Sequence, residues 1–293
     1  MPRFDRIVIL DWSAAGRPVQ GANSIWLGWD GGLVQNPATR HQAEAVLQDA
    51  VAQAHRTGQR LLIGADFAFG HPTGLARRIV GRPDALALWD HLTARHRDDD
   101  RNASNYREVA AAMNRTLGAP VFWGNGRRDQ IPDLPRLKPA PCPGLAPHRA
   151  TETPCPGGPR PKSPFQLAGA GAVGAQSLTG IPCLNRLRRD PGTAVWPFQP
   201  WRDAVVVLAE VYPSMIAAPL RRTTGFSCVD AAQVSLLARS LRHLDDRDAL
   251  APMLAADPRI ADPESEGQIL GFGHETALLA AAWGVTGASA TQG

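Results

Sequence analysis

The chain has 293 residues, 44% of them hydrophobic, which is enough for a sizeable core in one large domain or two small ones. Its formal charge of +4 combines two lysines and 29 arginines with 27 acids, so it reflects arginine usage more than a basic patch; nucleic-acid binding is allowed, not demanded. No stretch approaches about 18 uninterrupted apolar residues, and the opening "MPRFDRIVILDW" reaches an acid after a short apolar run, so neither a membrane span nor a signal peptide is expected and the cytoplasm is the expected location.

Ile7, Val8, Ile9 and Leu10 form the first expected strand, closed by the turn chemistry of Gly16 and Pro18, and the strand ends on Asp11. A buried carboxylate is unfavourable without a partner, so Asp11 either caps its own turn or faces a metal ion, a cation or a set of N–H donors. "NSIWLGW" (23–29) predicts a second strand, "DGG" (30–32) a hairpin turn and "LVQ" a short third strand. Alternation sends Trp26 to the face opposite Ile25 and Leu27, and Trp12, Trp26 and Trp29 read as core or cleft wall rather than base-stacking platforms. Residues 38–58 place Ala43, Val46, Leu47, Ala50, Val51 and Ala54 on one helical stripe that stops at Gly58. "RLLIGADFAFG" (60–70) is a fourth strand, and it too ends on an acid, Asp66. In this β-β-β-α-β order the helix is a crossover that sets the fourth strand parallel to the first. Asp11 and Asp66 then lie side by side beyond the carboxyl ends of neighbouring strands, where open α/β sheets form their sites.

Residues 73–117 are expected to be helical, and the chain turns irregular from 118. Residues 132–164 contain eleven prolines, too many for a regular element, and read as an insertion or lid draped over a single domain spanning 1–293, within a helical and proline-rich insertion at about 71–200. Lys138 and Lys162 lie there, and with Arg127, Arg128, Arg136, Arg149 and Arg160 they make it the most basic part of the chain; a solvated loop and a substrate-phosphate role fit equally well. Cys142, Cys155, Cys183 and Cys228 show neither C-x-x-C spacing nor paired histidines, which points to reduced thiols rather than a zinc site. "GAGAVG" (169–174) matches G-x-G-x-x-G, but "RPKSPFQLA" before it is broken by proline and Asp190 does not end a strand, so a dinucleotide site is disfavoured. Two readings remain: Lys162, Ser163 and the backbone at Gly169 and Gly171 line an anion-binding wall, or small residues allow close helix packing.

"RDAVVVLAEVYPS" (202–214) is a fifth strand, apolar from Ala204 to Leu208, with Glu210 beyond it and Pro213 stopping it. Residues 229–244 form a helix capped by Asp230, and 274–285 an Ala-rich last helix with Glu275 in its first turn. Carboxylates from three strands and a later helix suit one or two hard divalent cations, Mg²⁺ or Mn²⁺, and two ions about 4 Å apart can hold both oxygens of a phosphoryl transfer. Asp11, Asp66 and Glu210 are the first three ligands; for the fourth Asp230 leads, with Glu266 and Glu275 competing. No Ser-His-Asp set is present, since no G-x-S-x-G elbow surrounds Ser13, which joins the substrate-binding set instead.

The set "LDWSA", "GADFAFG", "AEVYPS", "TTGFSCVDAAQV" and the Ala-rich last helix resembles a bacterial and archaeal family of unknown function, assigned to the ribonuclease H-like superfold and described as predicted nucleases. The resemblance spans most of the chain. It implies a mixed α/β sheet with helices on both faces and puts Asp11, Asp66 and Glu210 where that superfold places metal-binding acids. Many relatives have an Asp near the start of the last helix, where this chain has His274 and Glu275. The expectation is metal-assisted hydrolysis of a phosphodiester, with a nucleic acid or nucleotide as substrate: Asp11 bridging the ions, Asp66 and Glu210 completing their coordination, Asp230 or Glu275 placing the water, and Lys162 and Arg149 holding the phosphate. The alternatives are a non-catalytic nucleotide- or nucleic-acid-binding module, or phosphoryl or nucleotidyl transfer, which similar chains labelled with molybdopterin guanine dinucleotide synthesis would suggest.

Overall fold

A computed structural model describes residues 3–152 and 161–288. Cys155 and Arg160 lie outside these residues.

In chain order the elements are β1 (Arg6–Asp11), β2 (Trp26–Trp29), β3 (Val34–Gln35), α1 (Arg40–Thr57), β4 (Leu61–Ala65), α2 (Leu75–Val80), α3 (Ala85–Arg95), α4 (Tyr106–Leu117), α5 (Gly174–Leu187), β5 (Thr193–Val195), β6 (Val206–Glu210), α6 (Ala217–Leu220), α7 (Val229–Asp245), α8 (Pro263–Glu266) and α9 (Glu275–Ala288). The strands form one mixed sheet in the order β3-β2-β1-β4-β6-β5. β1, β2 and β3 run as an antiparallel meander, while β4 pairs parallel with β1 and β6 pairs parallel with both β4 and β5. The β-β-β-α-β start is therefore as the sequence predicts. α1, capped by the Thr39 hydroxyl and ended by Gly58 at φ 69°, is the crossover.

Period-two alternation divides the core between the two faces of the sheet. Val8, Leu10, Leu61, Ile63, Ala65, Val206 and Leu208 pack with α1 and the helices between Leu75 and Leu187. Ile7, Ile9, Trp26, Leu62, Val207 and Ala209 pack against α7 and α9 on the other face. Trp26 and Leu27 take opposite faces, and Trp12, Trp26 and Trp29 are all buried. α7 reaches the sheet closely because β2 carries Gly28: a Cβ there would stand 2.5 Å from the Val234 carbonyl carbon. Glycine is the residue that permits such backbone approach within a strand.

The 202–214 segment forms the sixth strand, and it runs from Val206 through Glu210. The fifth, Thr193–Val195, precedes it and has only three residues. Asp230 is not the cap of α7. Cys228 holds the N-cap position in extended backbone, with no side-chain cap bond, and Asp230 lies in the first turn. The proline-rich insertion is also more than a drape, because Leu134 and Leu145 join the main core and Arg149, Thr151 and Glu152 are buried. Cys142, Cys183 and Cys228 are free thiols. No helix among the described residues is long and apolar enough to cross a membrane.

Candidate functional site

β1 and β4 run in register from Arg6↔Leu61 to Leu10↔Ala65, and the Asp66 N–H donates to the Leu10 carbonyl at 2.9 Å. Asp11 and Asp66 thus leave the sheet at the same level. Counting back by twos, both belong to the face of Ile7, Ile9 and Leu62, which is the face covered by α7. α7 brings Asp230 to the same end. Its carboxylate accepts the Asn23 N–H at 2.6 Å, which ties the β1–β2 connection to the helix.

The electrostatics follow from this crowding. Burial first, then repulsion from Asp66 and Asp230, pushes the Asp11 carboxyl well above the carboxylate range. Burial and repulsion from Glu210 push Asp66 up to about 7. Neither carboxylate accepts a hydrogen bond from any described residue. Two adjacent, partly buried acids are held where ionisation is costly, with no hydrogen bond from a described residue to offset it.

Glu210 differs from its two neighbours. It is level with Ala65, one step before Asp66, and its alternation places it with Val206 and Leu208 on the opposite face of the sheet. There the insertion meets it. The Arg149 guanidinium donates to both Glu210 oxygens, at 2.7 and 2.5 Å, and to Glu152 at 2.9 Å and the Glu266 carbonyl at 3.0 Å, while the Phe69 N–H adds a third bond onto Glu210 at 2.9 Å. This corrects two expectations. Glu210 is already ion-paired through both oxygens and so is not the free carboxylate a metal ligand was expected to be, and Arg149 has no free fork for a phosphate.

Other candidates also separate. Glu275 accepts the Gly273 N–H at 2.9 Å in the first turn of α9 and lines neither cavity beside the strand-end acids, so it does not place a water there. Glu266, which competed for the fourth position, accepts from the Thr73 N–H and hydroxyl and from the Ala150 N–H, anchoring the insertion. Ser163 is buried, its hydroxyl accepts the Phe165 N–H, and it faces a separate cavity beside Cys142 and Leu145. It is a turn residue, not a substrate contact.

The acids open into two cavities of about 320 and 390 Å³. Asp11, Ser13, Tyr106 and Asp230 line the first; Asp66, Lys162, Gly171, Tyr212 and Glu210 line the second. Asn23, Gly169, Ala172 and Gln176 line both, so the two form one cleft under the start of α5. Gln176 fixes that wall by donating to the Trp12 carbonyl at 2.7 Å, and Trp12 donates from its indole to the Thr179 hydroxyl at 3.0 Å. Lys162 is exposed and lies against Gly171. The segment before "GAGAVG" is a loop, so no strand introduces the glycine run as a dinucleotide site requires. Sequence reasoning missed Asn23, Gln176, Tyr106 and Tyr212; of these, only Gln176 carried a signal, as a polar residue in the first turn of a helix after a glycine run.

Among the described residues no three His, Cys, Asp or Glu side chains are grouped so as to hold one metal ion. Two carboxylates nevertheless suit Mg²⁺, which keeps several waters and is usually bound through one or two carboxylates together with substrate phosphate. Asp11 and Asp66 fit that description. No family profile, curated protein or solved structure matches the chain.

Proposed function

We propose that the chain is a metal-dependent phosphodiesterase of ribonuclease H-like fold. Three antiparallel strands followed by parallel ones, in the order 3-2-1-4-6-5, support the fold assignment, as does the resemblance of "LDWSA" and "GADFAFG" to the predicted nuclease family. The observation that carries the function is the Asp11–Asp66 pair: side by side at strand ends, raised in pKa and without a hydrogen-bond donor among the described residues. Such a pair is stabilised by a divalent cation. A bound Mg²⁺ or Mn²⁺ would supply Lewis-acid polarisation of a phosphoryl oxygen and a more acidic water. Asp11 and Asp66 would hold the cation, Asp230 would accept a proton from the attacking water as the P–O bond to the leaving group breaks, the leaving oxygen would take its proton from solvent, and Lys162 with the N–H groups at Gly169 and Gly171 would receive the phosphate. Walls of Tyr106, Tyr212 and Gln176 orient the remainder of the substrate.

One observation favours a second reading, a nucleotide-binding module without turnover. Because Arg149 closes off Glu210, fewer carboxylates are free than a two-ion phosphodiester hydrolysis uses. Calorimetric titration of Mn²⁺ into the wild type and Asp11→Asn, with circular dichroism on both, tests the cation site. Binding in the wild type and none in a folded Asp11→Asn is expected; a wild type that ignores millimolar Mn²⁺ overturns the proposal. A panel of single-stranded DNA, RNA, branched DNA and free nucleotides then separates turnover from binding alone, and release of a transferred group from hydrolysis.

A further inference from the structure

The Arg149 side chain is 1% exposed, and the carboxylate side chains it joins, Glu152 and Glu210, are 2% and 4% exposed. A guanidinium in this setting is a permanent charge that cannot dissociate into solvent. It arrives from the insertion, 61 residues away from Glu210 in the chain, and it meets the one strand-end carboxylate that a second ion beside Asp66 would need. Two-ion sites share carboxylates over about 4 Å, and Glu210 is the next strand-end acid after Asp66 across the sheet.

We propose that Arg149 takes the place of a second divalent cation, a fixed counter-charge for Glu210 that restricts the site to a single exchangeable ion at Asp11 and Asp66. This rests on reading Asp11 and Asp66 as a cation site. Geometry supports the substitution in three ways. The guanidinium fork engages both Glu210 oxygens, as a bidentate ion would. Glu152 supplies a second carboxylate on its flank, so the guanidinium already has the two-acid surroundings that suit a divalent ion. The Glu266 carbonyl and the Phe69 N–H complete the cage from protein atoms. Removing the Arg149 side chain would leave two buried carboxylates facing the space it vacated, and an unpaired buried charge binds a counter-ion, takes up a proton or unfolds the site.

The test is Mn²⁺ titration by calorimetry of the full chain, with thermal unfolding followed by circular dichroism, for the wild type, Arg149→Ala, and Arg149→Ala combined with Glu152→Gln. The double variant removes one of the two stranded charges and so folds under conditions that unfold the single variant. One Mn²⁺ per wild-type chain and two per variant chain is the expected result, the second held more weakly in the double variant, which keeps Glu210 but not Glu152 as a charged ligand, with the variants' Tm lowered in the absence of metal and restored by millimolar Mn²⁺ to a greater extent than the wild type's rises. Two ions in the wild type, one ion still in the variants, or a double variant that stays unfolded in millimolar Mn²⁺ each overturn the proposal. A wild type that binds none while the variants gain one removes the Asp11–Asp66 cation site and retains Arg149 as a cation surrogate; no binding in any of the three removes both.

Discussion

Asp66 and Glu210 end neighbouring parallel strands, yet no described residue donates to the Asp66 carboxylate, whereas Glu210 accepts three hydrogen bonds, two from Arg149 and one from the Phe69 N–H. That difference sets the pH behaviour. Asp66 titrates at about 7 in the fold, whereas an unfolded Asp titrates near ~3.9. Between those values the folded protein holds a proton that the unfolded chain has released, so stability falls as pH rises through this window and levels off above it. A cation bound at Asp11 and Asp66 displaces the same protons. Metal-free protein is therefore expected to melt at a higher temperature near ~pH 5 than near ~pH 8, with Mn²⁺ raising Tm more at the higher pH; a flat metal-free profile would show that these acids do not titrate as a stressed pair. Lys162→Ala should raise KM about tenfold on whichever panel substrate turns over, the loss of one charge-assisted contact, with kcat changed less. At this scale the side-by-side placement of Asp11 and Asp66 at strand ends is legible in the sequence, because each follows an apolar run. It did not reveal the engagement of Glu210, since its partner lies in a proline-rich segment whose path has no periodicity.

Among the elements, β2 and α7 come close enough at Gly28 that a Cβ there would meet the Val234 backbone. Gly28→Ala should cost about 1–3 kcal/mol, the usual range for overpacking a filled core, because backbone rather than a mobile side chain stands in the way. Urea denaturation measures it directly, and a change within about 0.5 kcal/mol would mean that α7 slides away readily. A slide of α7 would also carry Asp230 away from Asp11, so the same variant should weaken Mn²⁺ binding. Elements with long repeats were readable in advance: the stripe of α1 and the runs of β1 and β4 fall where alternation and capping put them. β5 was missed because three residues carry no pattern. Glu210 departs from the expected ligand set for a related reason, since its position after an apolar run does not fix its parity. Asp11 and Asp66 share parity across a register that pairs Leu10 with Ala65, whereas Glu210 pairs with Ala65 and so faces the other way.

Across the whole molecule, the insertion is an integral part of the site's charge balance. It supplies both Lys162 and Arg149 to the wall of one cavity, one exposed and one locked between carboxylates. Its composition announced basic residues but could not say which of them would be internal. The sheet has a second consequence. Its two outer strands are also its two shortest, Val34–Gln35 on one side and Thr193–Val195 on the other, although the four strands between them are long enough to form a continuous apolar layer. An approaching extended chain would find only two or three residues of backbone to zip onto at either margin, so the fold is shielded from templated strand addition and from the fibrous self-association that exposed sheet margins invite.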